Sequence, residues 1–124
     1  MYKRQDLLYK AATNNLDDAV LQWRDESAVT VVLAAKGYPE SPMTGAAISS
    51  IPSIENSQVF HAGTSDSSGA LLSTGGRVLT VTGTGGDLTE ARDRAYRAIS
   101  QIELEGSFYR SDIALNASVA EKGN

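Results

Sequence analysis

Hydrophobic positions change period more than once along the chain. From Asp6 to Thr13, Leu7, Leu8, Ala11 and Ala12 recur at helical spacing and stop at the polar pair Asn14-Asn15, which predicts a short N-terminal helix. Ala19 to Trp23 alternates, Val20 and Gln22 against Leu21 and Trp23. The acidic turn Arg24-Asp25-Glu26 then leads into Ala28-Val29-Thr30-Val31-Val32-Leu33-Ala34-Ala35, the strongest strand signal in the sequence. Its β-branched, nearly unbroken apolar run implies burial on both faces, as in a central strand.

Gly37-Tyr38-Pro39 ends that strand, and Pro42, Gly45 and Pro52 punctuate the next stretch, so residues 37–56 read as a loop with little regular structure. Short strands are predicted at 57–62, 70–73 and 77–82, the last with Leu79 and Val81 on one face. Seven of the 11 glycines fall between Gly63 and Gly86, which places tight turns and close backbone approaches in this region. From Leu88 the period becomes helical: Leu88, Ala91, Ala95, Ala98, Ile99 and Ile102 form one stripe, with Glu90, Asp93, Arg94 and Arg97 on the rest. Asp87 with Glu90 reads as a capping box, and Gly106 as the stop. Ser107 to Ile113 reads as a strand returning to the sheet, and the tail after Ala114 as frayed. These elements add up to an α+β fold: a mainly antiparallel sheet, a helix from about Leu88 to Ile102 packed on one face, and a shorter N-terminal helix at the edge.

Composition narrows the function. A chain of 124 residues and 13.1 kDa fits one ordinary domain, and 41% hydrophobic with 21% charged residues is the composition of a folding, core-forming chain. Eleven Lys and Arg against 15 Asp and Glu give a net charge of −4 and a pI near 4.9, which disfavours a general nucleic-acid binder. The absence of cysteine excludes disulfides, thiolate nucleophiles and cysteine metal sites, and a single histidine excludes multi-histidine clusters. No apolar run approaches the ~20 residues that cross a bilayer, and no signal-peptide core follows the start, so the sequence reads as cytoplasmic with no membrane partner. Asn116-Ala117-Ser118 matches a glycosylation acceptor and is set aside on the same ground.

Candidate chemistry is sparse. His61 precedes Gly63-Thr64-Ser65, which admits a Ser/His pairing but without nucleophile-elbow spacing; the alternative is a structural imidazole bonded to backbone across the sheet. In Gly75-Gly76-Arg77, two glycines let backbone approach a ligand and the arginine offers a fork for phosphate or carboxylate; the alternative is an ordinary hairpin turn with an exposed arginine. Gly83-Thr84-Gly85-Gly86 precedes a helix but lacks the Walker lysine and a dinucleotide fingerprint. Asp87 puts negative charge where a phosphate would sit, so this stretch reads as a flexible lead-in. Asp17-Asp18 and Asp25-Glu26 suit magnesium by residue type, yet consecutive carboxylates on a turn fit solvated surface charge. Tyr109, Arg110 and Asp112 suggest packing plus an ion pair.

Five blocks in order, VVLAAKGYP (Val31–Pro39), VFHAGT (Val59–Thr64), GGRVL (Gly75–Leu79), EARDRAY (Glu90–Tyr96) and FYRSDI (Phe108–Ile113), resemble the C-terminal domain of the phosphoribosylamine–glycine ligase family, over about residues 6–113. These are the ATP-grasp ligases of de novo purine synthesis also called glycinamide ribonucleotide synthetases. The resemblance implies ATP-dependent joining of glycine to 5-phosphoribosylamine through a glycyl phosphate, with ATP and Mg2+ clamped between two ATP-grasp subdomains. The family's metal-binding stretch, arginine–glycine–aspartate–proline–glutamate, has no match in residues 1–15. Asp6-Leu7-Leu8 resembles the tail of the helix that follows it, whereas the leading MYKRQ resembles a translated sequencing-adapter artefact.

The organisation so implied is a remnant of the ATP-grasp end and linker at 1–27, the C-terminal domain at 28–113 and a disordered tail at 114–124. A piece of this kind would hold no catalytic residue, would bind neither ATP nor Mg2+ by itself, and would need the missing ATP-grasp domains as partners. Resemblance assigns the phosphate end of the substrate to Arg77 with Gly75 and Gly76, and places His61 and Thr64 in the same cleft. Pro42 stands where the family has an aromatic residue after the Gly-Tyr-Pro turn. Two other readings stay open: a freestanding non-catalytic small-molecule binding or interaction module, and the equivalent domain of another ATP-grasp enzyme, against which the FYRSDI block argues.

Overall fold

The computed structural model describes residues 3–17, 19–66 and 69–123. Asp18, one half of the Asp17-Asp18 pair, lies outside the described residues. Helix α1 (Lys3–Ala12) is followed by an irregular stretch in which Val20 and Trp23 are exposed. Strand β1 (Ser27–Ala34) pairs antiparallel with β6 (Arg77–Gly85), and β6 pairs antiparallel with β3 (Ser57–His61). The order β1-β6-β3 makes β6 the central strand and β1 an edge, which corrects the expectation from the apolar run. That run covers one buried and one open face: Val29, Val31 and Leu33 are buried, while Ala28, Thr30 and Val32 are exposed.

Short pairs complete the fold. Strand β2 (Ile48–Ser50) pairs with β7 (Glu103–Leu104), and β4 (Thr64–Ser65) with β5 (Leu72–Ser73), so the 37–56 segment includes a strand within its loop. Helix α2 (Leu88–Ile99) lays Ala91, Ala95, Ala98 and Ile99 on the sheet face formed by Val29, Val31, Leu33, Leu79 and Val81, all buried in one core. Each fully buried Val, Leu or Ile among them contributes about 1.5–3 kcal/mol. The antiparallel α+β architecture expected from the sequence is the one observed.

Both ends of α2 are anchored. The Asp87 carboxylate accepts from the Glu90 amide at 2.7 Å, and the Glu90 carboxylate reaches back to the Gly86 amide at 2.8 Å, one residue before the cap. The helix ends at Ile99 with Ser100 as C-cap, earlier than the apolar stripe predicts, because Ile102 enters the core from the turn that leads into β7. Gly106, with a positive φ of 67°, serves the turn after β7 and does not stop the helix.

Gly83 and Gly85 are not a flexible lead-in. Both belong to β6 and are buried, and a Cβ on Gly83 would lie 2.3 Å from the Ala91 carbonyl oxygen. Glycine in the strand and alanine in the helix let the two backbones pack almost in contact. The C-terminal segment also departs from expectation. The predicted returning strand contributes one bridge, Ala34 to Phe108. The residues expected to fray form helix α3 (Leu115–Lys122), whose Glu121 carboxylate accepts from the Leu88 amide at 2.6 Å at the start of α2.

Candidate functional site

Arg77 opens β6, opposite Ala34 of β1, at a register irregularity that leaves both Val78 and Leu79 fully buried. Its exposed guanidinium has no ion-pair or hydrogen-bond partner among the described residues. It borders two adjoining hollows. One, of about 300 Å³, is walled by Thr30, Val32, Ala34, Phe108, Arg110 and Ile113. The other, of about 510 Å³, is walled by Ala62, Gly76 and Thr80, and Val32, Tyr38 and Arg77 are common to both. Among the described residues, the walls of the first carry two arginines and no carboxylate.

The glycines beside Arg77 have a packing reason. A Cβ on Gly76 would stand 2.3 Å from Cδ2 of Tyr38, so the tyrosine ring lies directly on the glycine backbone. A Cβ on Gly63 would stand 3.0 Å from the Gly75 Cα, which requires glycine where these two chain segments cross. The Gly76 carbonyl accepts from the Ala35 amide at 2.8 Å, and the amides of Gly75 and Gly76 have no partner among the described residues. Gly76 lines the larger hollow with Arg77 and Gly75 lines neither, so the Arg77 guanidinium with the Gly76 amide is the arrangement that suits an anion.

His61 and Thr64 lie on the adjacent chain segment. His61 Nδ1 is 3.0 Å from the Thr64 hydroxyl, so the imidazole pairs with a threonine side chain instead of the backbone or a serine nucleophile. Between them, the Gly63 amide donates to the Arg77 carbonyl at 2.9 Å, and Ala62 contributes to the wall of the larger hollow. The structure therefore brings Arg77, Gly75 and Gly76 together, with the His61–Thr64 pair alongside them and outside the lining of either hollow.

Reading the sequence left Tyr38, Phe108 and Arg110 out of the candidate site. Arg110 is paired to Asp112, Nε to Oδ1 at 2.9 Å and Nη2 to Oδ2 at 2.6 Å. Hydrogen bonding to Arg110 is the main cause that holds the Asp112 carboxyl below its usual value, and the same pair raises the Arg110 guanidinium. The segment carrying them is fastened to α2: Tyr96 donates its hydroxyl to the Arg110 carbonyl at 2.6 Å and accepts from the Ile113 amide at 3.1 Å. Arg92 donates to the carbonyls of Ser111 and Ile113 at 2.6 and 3.0 Å, and lies 4.5 Å over the Tyr96 ring. The EARDRAY and FYRSDI blocks are thus one hydrogen-bonded unit.

No three His, Asp or Glu side chains converge as a metal site among the described residues. Nor is any described helix long and apolar enough to cross a membrane. The N-terminus of α2 is occupied by the carboxylates of Asp87, Glu90 and Glu121. Those carboxylates take the place that a phosphate would occupy at the start of this helix.

Known proteins share this architecture. Residues 28–116 match the family described as phosphoribosylglycinamide synthetase, C domain, a span that includes β1 from its second residue, Arg77 and the whole Arg92–Tyr96–Asp112 unit. A phosphoribosylamine–glycine ligase of Streptomyces coelicolor is 52% identical over 120 residues, covering 92% of this chain and 29% of the relative. One of Agrobacterium fabrum is 47% identical, covering 94% of this chain and 28% of the relative. The crystal structure of phosphoribosylamine–glycine ligase from Thermotoga maritima superposes with a TM-score of 0.64 at 46% identity, covering 70% of this chain and 22% of that one. The chain thus spans less than a third of the length of these relatives, and it belongs to the phosphoribosylglycinamide synthetase C domain family.

Proposed function

We propose that this chain works as the C-terminal part of a phosphoribosylamine–glycine ligase, an ATP-dependent carbon–nitrogen ligase that joins glycine to 5-phosphoribosylamine in de novo purine biosynthesis. Its share of that work is to supply the wall that holds the substrate phosphate. The observation that carries this reading is the Arg77 guanidinium, which lines both hollows without a partner among the described residues and directly follows Gly75 and Gly76, whose amides likewise have none there. A guanidinium binds a phosphate through two parallel hydrogen bonds, and flanking amides add neutral donors that bring no counter-charge. His61 and Thr64 stand at the margin of this anion site, on the segment that the Arg77 carbonyl holds in place.

ATP and Mg2+ belong, in this reading, to the ATP-grasp domains of the complete ligase. In this reading no chemical step is assigned to this chain alone, because phosphoryl transfer depends on positioning nucleotide and metal, the part given to the ATP-grasp domains. Purine synthesis also implies a cytoplasmic setting. Titration of the 15N-labelled chain with ribose 5-phosphate tests the reading: saturable shifts at the Gly75, Gly76 and Arg77 amides support it. Equal shifts with plain ribose, or none with the phosphate ester, contradict it.

A further inference from the structure

We propose that Arg110 is a second anion-binding arm of the same site, aimed by Asp112 and by the Arg92–Tyr96 fastening on α2. The inference rests on the phosphate reading of Arg77 and extends it to a residue on a different element.

Arg110 and Arg77 are the two charged residues that line the smaller hollow, one reaching it from the post-β7 segment and the other from the start of β6. The Asp112 carboxylate occupies one edge of the Arg110 guanidinium, the Nε–Nη2 edge, and Nη1 has no partner among the described residues. A guanidinium carries five N–H donors, so a carboxylate on one edge leaves donors for a ligand on another. The fork is then held in one orientation before a ligand arrives, which lowers the ordering cost of binding.

Stability alone does not account for this arrangement. Arg110 and Asp112 are 72% and 55% exposed at their side chains, and exposed pairs contribute little to folding. Yet the short segment that carries them is pinned to α2 at three of its residues. Tyr96 holds the Arg110 carbonyl and the Ile113 amide, while Arg92 holds the carbonyls of Ser111 and Ile113. These bonds fix the backbone beneath an exposed arginine. With Phe108, Ile113, Val32 and Ala34 forming the apolar remainder of the hollow, the ligand it fits has an anionic end between two guanidinium groups and a less polar body against the wall.

Affinity of the full 124-residue chain for ribose 5-phosphate, measured by NMR or calorimetry, tests this across a set of variants. Arg110→Ala is expected to weaken binding about tenfold and Arg110→Lys nearly as much, because a lysine cannot pair with Asp112 and ligand through separate edges. Asp112→Asn and Tyr96→Phe, which keep both arginines, are expected to weaken it roughly threefold by loosening the fork. Inorganic phosphate used in place of the ester should give the same ranking. If Arg77→Ala abolishes binding while Arg110→Ala leaves it unchanged, the second arm is refuted and the reading of Arg77 stands. Tighter binding in Asp112→Asn would mean that the carboxylate competes with the ligand, and would refute the aiming role. Failure of the unsubstituted chain to bind overturns both readings together.

Discussion

Gly83 in β6 and Ala95 in α2 approach so closely that a Cβ on the glycine would stand 2.5 Å from the Ala95 amide nitrogen. The obstacle is helix backbone, which cannot swing aside as a long side chain can. Gly83→Ala is therefore expected to push α2 off the sheet and cost about 3 kcal/mol, the upper end for overpacking a core. Thermal or denaturant unfolding measures it, and a loss under about 1 kcal/mol, the lower end of that range, would show that the helix shifts freely.

That contact explains where the sequence was hard to read. Glycines before a helix look like a loop, and nothing local tells that Gly83 and Gly85 continue a strand beneath Ala91 and Ala95. Helix α2 itself was legible, because the spacing of Ala91, Ala95, Ala98 and Ile99 and the Asp87–Glu90 cap are local features. Strand β1 was legible as a strand but misplaced in the sheet: the apolar run through Val32 signals two covered faces, and Val32 instead borders the two hollows at 38% exposure. Arg77 was visible through its two glycines. Arg110 was legible as an ion-pair partner of Asp112 but not as part of the site, because its backbone is held by Tyr96 and Arg92 from a helix 14 or more residues earlier, and no periodicity links a helix to an irregular segment.

Gly76 and Tyr38 offer a second packing test, closer to the site. Gly76→Ala places a methyl 2.3 Å from Cδ2 of Tyr38, so the ring must move out of the wall shared by both hollows. A stability loss of about 1–3 kcal/mol is expected. The Tyr38 ring resonances should shift with it, and unchanged ring resonances would count against the packing described.

One carboxylate hydrogen-bonds α3 to the start of α2. Glu121 accepts from the Leu88 amide at 2.6 Å, where the positive end of the α2 dipole adds to the bond. Glu121→Gln should cost about 0.5–1 kcal/mol, and Glu121→Ala should also increase amide exchange through α3. Exchange rates equal to those of the unsubstituted chain would show that α3 docks without this contact.

Acid should disturb the Arg110–Asp112 pair late. Its carboxyl is held below the ordinary 3.8, first by the hydrogen bond from Arg110 and with smaller help from the charges of Arg110 and Arg92, against the opposing effect of desolvation. A depressed folded value means that the contribution is complete above 3.8 and fades as pH falls through the lower folded value. The 13C carboxyl resonance of Asp112 should therefore titrate below 3.8, and Arg110→Ala should move the midpoint upward. A midpoint unaffected by the substitution would place the cause elsewhere.

The most direct measurement replaces the matching C-terminal part of the Streptomyces coelicolor ligase with this chain and compares the hybrid with its Arg77→Ala variant in glycine ligation. The Michaelis constant for phosphoribosylamine should rise at least about tenfold in the variant while that for ATP stays within about twofold, as expected when one charged hydrogen-bonding partner of a phosphate is lost. An equal rise for both substrates, or no rise for either, would contradict the assignment of Arg77 to the sugar phosphate.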